Sequence, residues 1–213
     1  MPNWIKDIID YFSFSTTNEA SAEASSSIIN FMIEDPTMPE LTRKMNLPQD
    51  PTALPMSVTG LKRADPASCP QAVHAFVSIA TAIEHFQKKL STMNKPLSRW
   101  AATSKLMVFP LAGKDFNAYY DRESLKFFYD QDQATRKMIY AANGTDVVSH
   151  ETGHAFLDIL RSDFWSVQAL EIWAFHEAFA ENSFLGFFSG HNIIRKSRYL
   201  RNKFLLRSHR HKR

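Results

Sequence analysis

The chain has 213 residues and a mass of 24.4 kDa, with 44% hydrophobic and 22% charged residues, a globular composition that excludes wholesale disorder. Its length suits one domain, or one and a half. The single cysteine, Cys69, excludes a disulfide framework, a four-cysteine metal module and an iron–sulfur centre.

The net charge of +3 hides an asymmetry: residues 195–213 hold nine of the 25 Lys and Arg and no acid, which leaves a body of −6. A basic tail can bind nucleic acid or anionic lipid. A solvated terminus is the simpler reading, and nucleic acid is not expected as a partner. No apolar run approaches the ~18 residues of a membrane span. The start, Met1 to Asp7, carries charge where a signal peptide needs an apolar core, so a cytoplasmic protein is expected.

Residues 3–12 have the spacing of a short amphipathic helix, with Trp4, Ile5, Ile8, Ile9 and Phe12 on one side. Ser13 to Ser27 reads as a weakly ordered connection. Seven of the ten prolines fall between Pro36 and Pro70, which predicts extended, irregular chain there. Residues 1–65 are therefore expected to form an arm or linker, residues 66–190 the folded domain, and residues 191–213 the basic tail. From Ala72 to Leu90 a broad apolar stripe predicts a long helix ending near Pro96.

Leu106 to Leu111 suits a strand, and Asn117 to Tyr120 and Leu125 to Tyr129 suit two more, joined by a turn at Asp121-Arg122-Glu123-Ser124. Their aromatic residues are expected to pack the sheet. Lys137 to Ala142 is a further strand candidate. Residues 143–146 then supply a turn and an N-cap for a helix over about 147–160, and a second helix spans about 167–188. This order predicts an α+β fold with a small, mostly antiparallel sheet packed on helices.

One motif stands above the rest: His150-Glu151-Thr152-Gly153-His154. Histidines at i and i+4 share a helix face and can share one metal ion, while the intervening glutamate is placed to act as a general base. Zinc suits imidazole nitrogen, acidifies water and polarises a carbonyl. By chance the pattern would arise in roughly 1% of shuffled chains of this composition. The flanks strengthen it, because Val147-Val148 and Ala155-Phe156-Leu157 set the motif in an apolar helix. Gly153, costly in a helix interior, suggests a close neighbouring backbone.

A zinc site needs a third protein ligand. The second helix carries the stripe Leu170, Trp173, Ala174, Glu177, Glu181, Phe184, in which two carboxylates interrupt an apolar face. A buried carboxylate is costly unless paired or bound to metal. Glu177 is the expected ligand. Glu181, one turn on, is a candidate to accept a hydrogen bond from the outer nitrogen of a ligand histidine, and Asp158 is a second candidate for that task.

The segment from Asp146 to Asp158 resembles the active-site helix of the thermolysin-like gluzincins, and His176-Glu177-Ala178-Phe179-Ala180-Glu181 resembles that family's Asn-Glu-x-x-x-Asp segment. The resemblance covers roughly residues 100–185. It implies a zincin-like fold and a zinc metallopeptidase with one Zn2+ per chain, liganded by His150, His154 and Glu177. Glu151 is then the general base and Glu181 the support for a zinc-binding histidine. Asn117-Ala118-Tyr119-Tyr120 resembles the edge strand with which the family pairs substrate backbone, so Asn117, Ala118 and Tyr119 are expected to bind a peptide or protein substrate.

The chain departs from the family in three respects. His176 replaces its Asn and Glu181 its Asp. The tyrosine that stabilises the oxyanion has no match, Trp165 lying near its position. The sequence also stops 36 residues after Glu177, without the family's large helical lobe. Two alternatives follow: a truncated zincin that binds zinc with weak or no turnover, or a protein that binds through its basic tail.

Overall fold

A computed structural model of the protein describes residues 28–32, 42–92 and 97–188, with side chains placed over 47–92 and 97–181. The expected helix over 3–12 and the basic tail lie outside these residues. Strands β1 (Ile28–Met32) and β2 (Thr42–Asn46) pair antiparallel. They are followed by β3 (Met56–Val58), α1 (Pro70–Thr92) and β4 (Leu106–Phe109). Next come β5 (Ala118–Tyr120), β6 (Ser124–Phe127), β7 (Tyr129–Gln131) and β8 (Met138–Tyr140). Helices α2 (Thr145–Leu160) and α3 (Leu170–Phe188) complete the described chain. The fold is α+β. Among the described residues no helix is long and apolar enough to cross a membrane.

The central sheet has the order β3-β4-β6-β5. The expectation of a mostly antiparallel sheet needs correction here: β3 pairs with β4, and β4 with β6, in parallel, and only the β5–β6 pair is antiparallel. For β3–β4 the reason is α1, which lies between them in the chain, since a helical crossover returns the chain in the same direction. For β4–β6 it is β5, which runs antiparallel to β6 at the sheet edge and lies between the two in the chain. Antiparallel pairing is confined to the short connections, β5–β6 and β7–β8, and to β1–β2.

The proline-rich stretch also does more than link. It supplies β3, and Leu47, Leu54 and Met56 are buried in the core. Pro55 precedes β3 and its carbonyl accepts bonds from Leu106 N–H (3.0 Å) and Trp100 Nε1–H (2.8 Å). A proline fits there because it stands just before an edge strand, where no ladder donor is lost.

The core lies between α1, the sheet and α2. Phe156 of α2 is fully buried, with the Phe86 ring stacked on it at 4.1 Å and the Trp100 ring nearly parallel to it at 6.3 Å. These contacts fix α2, the helix that carries the histidine motif, against α1. Along its flank α2 also packs against β5. The N-cap of α2 is Gly144, without a side-chain cap; the hydroxyl of Thr145 instead lies 3.2 Å from His74 Nε2 on α1.

His74 is buried, and burial pushes its pKa down to about 4, a shift partly opposed by a backbone hydrogen bond with Ala142. Because the folded value lies below the unfolded one, the neutral ring stabilises the fold fully above about pH 6.5, and this stability is lost as pH falls towards 4. The stability advantage of wild type over His74→Gln, measured by denaturant unfolding, is therefore expected to shrink by about 3 kcal/mol between pH 7 and pH 4. An advantage that does not vary with pH would show that His74 is not held neutral.

Candidate metal centre

His150 and His154 lie on one face of α2, and α3 crosses beside them. The two Nε2 atoms are 3.2 Å apart, with the rings nearly perpendicular at 89°. Glu177 of α3 brings Oε2 to 3.3 Å from His150 Nε2 and Oε1 to 3.9 Å from His154 Nε2. One donor atom from each of the three residues falls within 4.8 Å of the others, so the group can hold a metal ion.

The spacing fits the donors. Two ligand atoms each ~2.05 Å from a shared ion at a tetrahedral angle stand ~3.3 Å apart, close to the observed 3.2 and 3.3 Å, whereas the His154–Glu177 distance of 3.9 Å is wider. The His150 and His154 side chains are only 7% and 13% exposed, whereas that of Glu177 is 50% exposed. The centre is therefore walled by α2 and open to solvent on the α3 side.

That openness reverses one step of the sequence reading. The stripe Leu170, Trp173, Ala174, Glu177 is the exposed face of α3, with Leu170 75% and Trp173 56% exposed. The inward face consists of Ile172, Phe175, His176, Phe179 and Ala180. Glu177 reaches the histidines from the rim of the centre, not from within the core.

Glu151 is buried beside His150 on α2. Glu181 places Oε2 3.9 Å from His150 Nδ1, the nitrogen turned away from the candidate centre, at ion-pair range but longer than a hydrogen bond. Asp158 is engaged elsewhere. Its buried carboxylate accepts two bonds from Arg122 (Nε to Oδ2 and Nη2 to Oδ1, both 3.0 Å) and one from the Tyr120 hydroxyl (3.0 Å). Burial and Asp158 together raise the Tyr120 phenol above its usual range.

Strand β5 lies at the sheet edge, as the sequence suggested. Tyr119 pairs with Lys126, and the flanking bonds run from Phe128 N–H to Asn117 O and from Asp121 N–H to Ser124 O. The alternation of an antiparallel ladder then turns the backbone groups of Ala118 and Tyr120 outward. The Ala118 N–H is met by Asn117 Oδ1 at 2.9 Å, a local bond within the edge.

Two groups take on contacts that the sequence alone does not reveal. His176 packs 5.9 Å from the His154 ring and 6.0 Å from Trp165. Burial holds the His176 imidazole below the usual histidine range, partly offset by Glu177 and Asp158. Arg122 was read only as a turn residue, and nothing in its spacing points to a partner 36 positions away.

Comparison with family models, with curated proteins and with solved structures returns no match to this chain.

Proposed function

We propose that the chain is a zinc-dependent peptidase of gluzincin type, with a zincin-like fold. The observation that carries this reading is the convergence of His150, His154 and Glu177, two of whose three donor spacings suit a tetrahedral ion. Two imidazoles and one carboxylate are a donor set found in catalytic zinc sites, which keep a fourth position open. When bound, zinc supplies a Lewis acid that acidifies water and polarises a carbonyl.

The remaining work falls to the chain. Glu151, adjacent to His150, takes a proton from the attacking water and returns it to the departing amine nitrogen. Glu181, at ion-pair range from His150 Nδ1, favours that ring orientation through its charge. An extended peptide adds to the outer edge of β5, meeting the backbone of Ala118 and Tyr120, with Asn117 and Tyr119 beside it. The half-exposed rim at Glu177 leaves a path for that substrate.

The test is cleavage of an unfolded protein substrate before and after treatment with a chelator. Cleavage is expected to disappear on chelation and to return when Zn2+ is added back. A zinc-loaded, folded chain that leaves the substrate intact would contradict the proposal, as would cleavage indifferent to the chelator.

A further inference from the structure

We infer that Arg122 and Asp158 form a positioning clamp that holds the outer edge of β5 in register with the metal-ligand helix; this rests on the peptidase reading above. Asp158 follows His154 by one helical turn, so His150, His154 and Asp158 recur at four-residue intervals along one face of α2. From the other side, three hydrogen bonds leave the end of β5 and its turn and meet on the Asp158 carboxylate: two from Arg122 and one from Tyr120. The edge strand is thereby tied to the helix next to the ligands and not merely packed on it.

The turn does not need the Arg122 side chain to form. Asp121 builds it, accepting from Ser124 N–H (2.7 Å), Glu123 N–H (3.2 Å) and Ser124 Oγ–H (2.9 Å), with Lys126 Nζ 2.9 Å from its second oxygen. Arg122 itself sits at φ +77°, a conformation unfavourable for a residue with a side chain. The strained residue is the one aimed at α2. An ion pair whose carboxylate is fully buried while its arginine side chain is 32% exposed is also a poor way to gain stability, since apolar packing commonly does as well. What a forked, two-bond pair does supply is a fixed distance and orientation.

The same cluster continues to the opposite wall of the centre. Trp165 meets Tyr120 edge-on at 5.6 Å and His176 at 6.0 Å, with the Arg122 guanidinium 5.6 Å from its ring. His176 precedes the ligand Glu177 and packs on His154. The end of the docking edge, the ligand helix and the ligand-bearing part of α3 therefore share one set of contacts.

The experiment compares kcat, KM and zinc content of wild type, Arg122→Ala and Arg122→Lys on one peptide, below the melting temperature of each. A misplaced edge still binds peptide but presents it out of register, and misplacement on the ångström scale can cost up to ~100-fold in rate. Arg122→Ala is expected to keep one zinc per chain and its KM within about threefold, while kcat falls at least about tenfold. Arg122→Lys should recover part of the loss. If Arg122→Ala does not fold, Tyr120→Phe, which removes the hydroxyl's contacts with Asp158 and the Arg122 carbonyl and keeps the ring, should lower kcat in the same direction. A lower melting temperature with kcat unchanged per zinc-loaded chain would overturn the clamp and leave the peptidase reading intact. A zinc-loaded wild type without any cleavage would overturn both.

Discussion

Glu151→Gln is expected to retain one zinc per chain and a wild-type melting temperature while losing cleavage by about 10²- to 10⁴-fold, the usual contribution of a general base. The substitution keeps size and shape at a buried position, so packing of α2 against α1 and β5 is preserved. It removes the negative charge and, with it, the proposed capacity to take a proton from water. Neither carboxylate oxygen is needed as a ligand, because His150, His154 and Glu177 already furnish three donors at ligand spacing. Initial rates on a peptide substrate, with elemental analysis of the same samples, check both halves. Cleavage within about twofold of wild type would remove Glu151 from the proton-transfer role, and zinc lost together with activity would give it a ligand or structural role instead.

Much of the path to the candidate metal centre was legible because it depends on local spacing. The i, i+4 histidines are side by side on any helix, and the apolar flanks of residues 147–157 made a helix the natural setting. The long stripe from Ala72 to Leu90 likewise marked α1, and the Asp121–Ser124 turn joins β5 to β6 as its residues suggest. Asp121 is a good turn former because its short carboxylate can cap the N–H groups two and three residues on.

What was illegible depends on contacts distant in sequence. Met56–Val58 is too short, and too near Pro51 and Pro55, to announce a strand; it becomes one because β4 offers it a parallel partner. In α3 apolar residues occur nearly all round, so periodicity could not decide which face turns inward. Packing decides it: Phe175 and Phe179 meet one another and Phe164 and Phe86, and Glu177 is carried to the open rim. The argument from a buried carboxylate therefore fails for Glu177, although the residue does meet the histidines. Asp158 was assigned to a histidine by helical spacing alone, which could not anticipate the forked bond from Arg122.

The second large effect is expected at Glu177 and bears on the metal itself. Even residues that only support metal ligands are typically worth 10- to 100-fold in affinity, so truncating a ligand should cost at least about 100-fold. Glu177→Ala deletes a half-exposed side chain from the rim of α3, where little core packing is at stake, so the variant should fold. Zinc content by elemental analysis of purified wild type and Glu177→Ala, after dialysis against metal-free buffer, tests the account most directly. One zinc per wild-type chain, lost or greatly weakened in the folded variant, is the predicted result. A folded wild-type chain that takes up no zinc, or a Glu177→Ala chain that holds it as tightly as wild type, would contradict the proposed centre.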